Sequence, residues 1–375
     1  MFTTTALDSS CEARLGRLEL GHGSVDTPVF MPVGTQGTVK ALSQEDLEAM
    51  GFGLILGNTY HLSLRPGIET IDALGGLHRF ISWDGNILTD SGGFQIFSLE
   101  TLRTLDEGGV SFRSHLDGSP HRFTPERVVD LQQRFGSDIM MPLDVCAAHG
   151  AGRAEAQEAL RLTTDWARRS KRAWDTEGAG RLFGIVQGNF YQDLRRQSAA
   201  ELRELDFPGY AVGGLSVGEG RTEFNDTLGW AVEGLPKEKP RYVMGIGTPD
   251  LIFDAVEQGV DMFDCVFPTR AGRNATALTA GGRIALRNAE YARDSRPIEE
   301  ACPCPVCRRY SRAYIRHLFK GREILAAMLT TRHNLWYMRR LMEGIHEAIR
   351  GNDLPGHKRR VLEALEQDRE ASSVD

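Results

Sequence analysis

RYVMGIGTPDLIFDAVEQGVDMFDCVFPTR, residues 241–270, holds two short apolar runs, RYVMGIG and MFDCVFPTR, on either side of a stretch with helical periodicity, TPDLIFDAVEQGV. Continuous apolar runs of this length suit strands buried on both faces of a parallel sheet. A Thr that opens the intervening stretch, with an acidic residue in the first turn, reads as a helix N-cap. The segment is therefore a strand, a helix and a second strand. The same kind of run recurs upstream as PVFMPVGT, GLILGNTYH, NILTDSGG, DIMMPLDVC, LFGIVQG and YAVGGLS, which makes eight. Helical stretches between them include SQEDLEAMGF, TPERVVDLQQRFG, RAEAQEALRLTTDWARRSKRAW and YQDLRRQSAAELRELDF. Eight strand-then-helix units predict an α/β fold of the (β/α)8 TIM-barrel class, whose functional residues gather at the C-terminal ends of the strands. An open doubly wound sheet is the alternative, and no GxGxxG fingerprint supports it.

The predicted strand ends are polar: Asn58, His61, Asp90, Asp144, Gln187, Gly213, Gly214, Gly245 and Asp264. The eighth unit is interrupted before the helical stretch around HNLWYMRRLMEGIHEAI. The expected organisation is one barrel domain over residues 1–375 with an insert at 283–335, which carries a cysteine cluster.

The composition, with 41% hydrophobic and 25% charged residues, is that of a globular chain able to bury a full core. The N-terminus has no basic stretch leading into an apolar run, and no segment approaches eighteen apolar residues in a row, so the expectation is a cytoplasmic protein with no membrane partner. A net charge of −7 argues against a general nucleic-acid coat. From Asp261 to Lys320, however, eleven Lys or Arg face six Asp or Glu. Such a run is either a solvated basic face or a landing place for an anionic partner.

Cys302, Cys304 and Cys307 in CPCPVC place three thiols within six residues. In a chain without an export signal, metal binding is the better reading than disulfides. With a histidine they complete a tetrahedral shell that leaves no position for water, as in a structural Zn2+ site. His333 is the expected fourth ligand and His317 the alternative.

Asp90 in LTDSGGFQ and Asp264 in MFDCVFPTR end the third and eighth predicted strands, whose ends face a common pocket in a barrel. Two carboxylates on one pocket are what cleavage of a glycosidic bond requires, one as acid or base and one as nucleophile. Each aspartate could instead cap the helix that follows it.

The stretches MPVGTQGTVKAL, ILGNTYHLSLRPG, LTDSGGFQIFSL, SFRSHLDGS, FGIVQG, GYAVGGLSVGE, YVMGIG, DMFDCVFPTR, CPCPVC and SRAYIRHL, in this order, resemble the bacterial tRNA-guanine transglycosylases over residues 27–346. The resemblance implies exchange of guanine at the wobble position of a tRNA for 7-aminomethyl-7-deazaguanine, through a covalent enzyme–tRNA intermediate. It implies Asp264 as the nucleophile and Asp90 as the general acid/base. It assigns Asp144, Gln187, Gly214 and Leu215 to the edge of the guanine ring, and Phe94 and Met244 to its faces. Arg270 and Arg273 correspond to residues that read the uracil after the target guanine in the anticodon loop, and Cys302, Cys304, Cys307 and His333 to the zinc ligands. Tyr310, Tyr314 and His317 resemble a homodimer contact of the family.

One position departs from the bacterial pattern, since Val145 stands where many members carry an acidic residue. That puts the 7-substituent of the incoming base in question. Cys146 and Val217 occupy positions that narrow the pocket around a small aminomethyl group, which favours 7-aminomethyl-7-deazaguanine over bulkier queuine. Three rival readings remain. A non-catalytic tRNA-binding accessory subunit would not need both Asp90 and Asp264. A carbohydrate glycosidase would leave Asp144, Gln187 and the GGL turn unexplained, and a zinc hydrolase would need an open metal near the strand ends.

Overall fold

The computed structural model describes residues 1–99, 103–178 and 180–371. Its centre is a closed ring of parallel strands. Val33–Gly34 pairs with Leu54–Gly57, then follow Asn86–Thr89, Ile139–Met140 and Arg181–Leu182. The chain continues that fifth strand as Gly184–Val186, which pairs with Tyr210–Val212, then Arg241–Val243 and Met262–Asp264. Met262–Asp264 closes on Val29–Met31, the first half of the first strand, with Asp264 opposite Met31. All eight apolar runs are strands of this barrel, and the expected fold class is the observed one.

Alternation along each strand decides what enters the barrel. Met31, Val33, Leu54, Leu56, Leu88, Ile139, Met141, Phe183, Ile185, Ala211, Tyr242 and Met262 form one buried cluster inside the ring. Their neighbours Ile55, Ile87, Val186 and Phe263 belong to the larger outer cluster with the helices. Burial on both faces explains why the strands read as unbroken apolar runs. The same parity carries to the C-terminal ends of the strands, from Leu56 to Asn58, Leu88 to Asp90, Ile185 to Gln187, Ala211 to Gly213, Tyr242 to Met244 and Met262 to Asp264. Polar residues thereby reach the C-terminal mouth on the inward face.

Local signals set the helices. Ser43 caps Gln44–Ala49 in a capping box with Asp46, and Thr124 caps Pro125–Phe135, which ends at Gly136 with a φ of 75°. The N-terminal end of the barrel is covered by an antiparallel sheet of Phe2–Leu7, Arg14–Leu20 and Gly23–Thr27, whose Leu18 and Val25 join the interior cluster. A second antiparallel sheet, Arg103–Asp106, Gly109–Arg113 and Pro120–Phe123, follows the third unit. Neither sheet was foreseen.

After the eighth strand the chain makes a short helix, Phe267–Arg273, then the hairpin Thr276–Thr279 with Gly282–Ala285, the cysteine turns, and helix Arg312–Lys320. The long helix Ile324–Arg350 then returns to the barrel. A Cβ on Gly272 would meet Thr331 Cα at 2.7 Å, so the short helix crosses the long one in backbone contact that only glycine allows. No helix among the described residues is long and apolar enough to cross a membrane.

Candidate active site

Asp90 follows the third strand. Asn58 Nδ2 donates to its Oδ2 at 2.5 Å, and the Thr59 and Gly92 N–H groups donate to its Oδ1 at 2.9 and 3.2 Å. Asn58 also caps the short helix Thr59–Leu62 by accepting from the His61 N–H, which fixes the rotamer that offers its amide to Asp90. Burial, opposed by the Thr59 and Gly92 donors but reinforced by the charges of Asp264 and Asp144, raises the Asp90 carboxyl to about 7. Asp90 and Asp264 share the inward parity of their strands, and Ser91, next to Asp90, reaches Asp144 Oδ1 at 3.5 Å, so the three stand at one mouth. At the entry to the next helix Asp90 accepts from the Gly92 N–H, while Ser91 Oγ accepts from the Gly93 N–H at 3.1 Å.

Asp264 ends the eighth strand. Tyr242 Oη and the Gly245 N–H both donate to its Oδ1, at 2.5 and 2.8 Å. Oδ2 has no hydrogen-bond partner among the described residues. Burial raises the pKa of Asp264, and the two donors oppose that rise. Tyr242, fully buried in the barrel interior, is held well above its ordinary pKa and stays a donor.

Asp144 arrives differently. The fourth strand has only Ile139–Met140 in the ladder, and Gln132 replaces the missing pairing by bonding the N–H and C=O of Met141 at 2.9 and 2.8 Å. The irregular run that follows turns Asp144 inward, where Gln187 Nε2 donates to its Oδ2 at 2.7 Å. Burial raises the Asp144 carboxyl to about 6 against the donors Gln187 and Ser91. Gln187 lies beside the Gly213–Gly214 turn. Gly214 has a φ of 68°, which favours glycine, and a Cβ there would displace the Gln187 amide, whose Oε1 it would meet at 2.7 Å.

Leu215 is buried, Met244 packs at the top of the interior cluster, and Phe94 is 56% exposed at the start of helix Gly93–Leu99. Phe94, Val145, Cys146 and Val217 line a cavity of about 680 Å³. Val145 is buried and gives its N–H to Thr163 Oγ1 at 3.0 Å. Arg270 and Arg273 stand in the last turn of Phe267–Arg273, directly after the Asp264 strand. Among the carboxylate partners, Tyr242 was missed by sequence reasoning, although its parity with Met244 is a signal that alternation alone could have supplied.

The cysteine cluster sits in the insert. Sγ of Cys302, Cys304 and Cys307 lie 3.9, 3.6 and 3.3 Å from His333 Nδ1, and all four residues are buried. Ligands at zinc's usual bond lengths on a tetrahedron are roughly 3.6 Å apart from sulfur to nitrogen, which these distances bracket. His333 Nε2 donates to the Leu278 carbonyl at 2.8 Å, leaving Nδ1 with its lone pair toward the thiols. The donor set fits one structural zinc ion that ties the cysteine turns to helix Ile324–Arg350. His317 is exposed and outside the cluster.

A second group, His22, His78 and Asp138, lies at the opposite, N-terminal end of the strands. The two imidazoles are stacked at 3.7 Å with 17° between their planes, and bond separate oxygens of Asp138 at 2.8 and 3.1 Å. In-plane lone pairs on parallel rings run side by side and do not converge on one ion. The group is a hydrogen-bonded clasp between the N-terminal sheet and the barrel.

Residues 8–367 match the family model described as Queuine tRNA-ribosyltransferase. A protein of that name from Pelotomaculum thermopropionicum is 57% identical over 349 residues, 93% of this chain and 94% of the relative. Another from Caldanaerobacter subterraneus is 53% identical over 363 residues, 97% of each chain, and one from Thermoanaerobacter sp. is 54% identical over 355 residues, 95% of each.

Proposed function

This chain belongs to the queuine tRNA-ribosyltransferase family, and we propose that it exchanges guanine in the tRNA anticodon loop for a 7-deazaguanine base by double displacement. It is a pentosyltransferase of queuosine biosynthesis. The observation that carries this reading is the pairing at the barrel mouth of Asp264, with one oxygen pinned and one free, and Asp90, which titrates near neutrality.

In the first displacement the free oxygen of Asp264 attacks C1′ of the target ribose. The bond from C1′ to guanine breaks, its electron pair leaves with guanine, and Asp90 supplies the proton. In the second, Asp90 takes a proton from the incoming base, whose nitrogen attacks C1′ and expels Asp264. Asp144 accepts from N1–H and the 2-amino group, and Gln187 with the Gly214 and Leu215 backbone meets O6. Adenine would leave these buried groups unpaired. Phe94 and Met244 cover the faces of the ring, and Arg270 and Arg273 read the uracil that follows it. The unstacked base comes from a single-stranded loop at small cost.

Cys146, close to Gly214, and Val217 favour 7-aminomethyl-7-deazaguanine as the incoming base. The cavity behind them favours a second reading, queuine, whose larger 7-substituent would need such space. The protein is read as cytoplasmic and as one barrel domain over 1–375 with the zinc insert at 283–335. It forms a homodimer through the face carrying Tyr310, Tyr314 and His317, where Tyr310 and Tyr314 stack at 5.6 Å. Exchange of labelled guanine into unmodified tRNA, then its displacement by each 7-deazaguanine base, tests the reading. Absence of label incorporation would refute it.

A further inference from the structure

Helix Gln192–Glu204 carries Arg195 in its first turn, with the side chain completely buried beneath the ends of the fifth and sixth strands. No carboxylate pairs with it among the described residues. Its guanidinium is satisfied by backbone carbonyls: Nε donates to Asn189 O at 2.7 Å, Nη1 to Val186 O and Gly213 O at 3.0 and 2.8 Å, and Nη2 to Gly214 O at 3.4 Å. Burying a cation with no carboxylate in direct contact is costly, so a chain that does it gains something that packing alone would not require. Burial lowers the pKa of Arg195 only to about 10, and the group remains charged at neutral pH.

Two of the carbonyls it holds, Gly213 O and Gly214 O, are those of the base-reading turn. In a trans peptide the C=O and the following N–H point in opposite directions. Pinning Gly213 O and Gly214 O from behind therefore aims the Gly214 and Leu215 N–H groups forward, and neither N–H has an acceptor among the described residues. A positive charge behind each carbonyl also polarises its peptide and strengthens the N–H as a donor. On the far side of the turn, the Glu219 carboxylate accepts from the Ser216 and Val217 N–H groups. Arg195 also bonds the Val186 carbonyl, which precedes Gln187, and the Asn189 carbonyl two residues beyond it, so one cation touches both strand ends that face the base edge.

Resting on the functional reading above, we propose that Arg195 is a positioning residue that fixes and polarises the Gly214–Leu215 donor pair, making the pocket select bases with an oxygen at that edge.

The test uses the full chain with Arg195→Lys and Arg195→Gln, each checked for folding by its thermal transition, in base exchange with guanine and with 2-aminopurine, which lacks O6. Arg195→Gln is expected to raise KM for guanine by about tenfold or more, with a smaller rise for Arg195→Lys. KM for tRNA stays within about twofold, because the loop contacts lie elsewhere, and the preference for guanine over 2-aminopurine falls in parallel. Folded variants that lose kcat or melting temperature, yet keep the guanine KM and the preference, would overturn the proposal. Wild-type protein that exchanges nothing would overturn the functional reading instead. If neither variant folds, a structure of the wild type with guanine bound decides: O6 on the Gly214 or Leu215 N–H, with Arg195 on their carbonyls, supports the proposal, and O6 met by side chains alone contradicts it.

Discussion

Tyr242 and Asp264, on adjacent strands, are joined by a hydrogen bond of 2.5 Å from the phenol to Oδ1, the same oxygen that the Gly245 N–H holds. The two donors leave the carboxylate fixed in orientation and Oδ2 free. They also offset part of the cost of keeping the charge in a buried place.

Removing the phenol should therefore slow the first displacement. Tyr242→Phe keeps the packing of the barrel interior and loses one charge-assisted hydrogen bond, worth about 1.5–3 kcal/mol. Single-turnover formation of the covalent adduct should fall by roughly tenfold or more at neutral pH, and the loss should shrink at higher pH as the unsupported carboxyl ionises. An adduct rate equal to wild type at every pH would show that the bond has no part in activation.

Asp90 should make stability depend on pH. Its folded pKa lies above the unfolded value, so the folded state binds more protons and stability declines as pH rises from about 4 to about 7. Asp90→Asn removes that penalty. Its gain in unfolding free energy should be larger at pH 8 than at pH 4 by on the order of 4 kcal/mol, read from denaturant titrations at the two pH values. An equal effect at both would contradict the raised pKa.

Asp138 should behave in the opposite sense. Although burial pushes it up, hydrogen bonds from His78, His22 and the Ile87 N–H hold its carboxyl below the ordinary value. Its contribution is present above the unfolded pKa and lost as pH falls through the folded one. Asp138→Asn should cost about 2 kcal/mol at pH 7 and much less near pH 3, with base exchange per folded molecule unchanged, since the clasp lies at the far end of the barrel.

Zinc should be present at one ion per chain. His333→Ala opens the shell and frees the Leu278 carbonyl, so metal content after dialysis against a chelator should drop and the thermal transition should move down by several degrees. Full zinc retention in the variant would remove His333 from the ligand set.

What the sequence made legible follows from periodicity. Strands buried on both faces left continuous apolar runs, and parity then carried Asn58, Asp90, Gln187 and Asp264 to one mouth. The zinc ligands were legible because three thiols crowd one turn. Asp144 was legible as a polar strand end, but its role came from family resemblance alone; its inward turn depends on Gln132 substituting for a ladder, which no period reveals. Arg195 and Tyr242 read as an ordinary helix arginine and an ordinary strand aromatic. Their roles come from tertiary contacts with backbone carbonyls and with a carboxylate one strand away. The N-terminal sheet has short, half-exposed strands whose pattern is too weak to stand out beside the barrel.

The central claim is that Asp264 bonds to tRNA while Asp90 moves protons. Denaturing gels of enzyme mixed with tRNA and a slowly reacting base analogue show the covalent adduct as a shifted band. Asp264→Asn should abolish the band with little change in tRNA affinity, because an amide is a far weaker nucleophile and Arg270 and Arg273 are untouched. Asp90→Asn should impair turnover while still allowing some adduct to form. A band that persists in Asp264→Asn and disappears in Asp90→Asn would contradict the account and reverse the two roles.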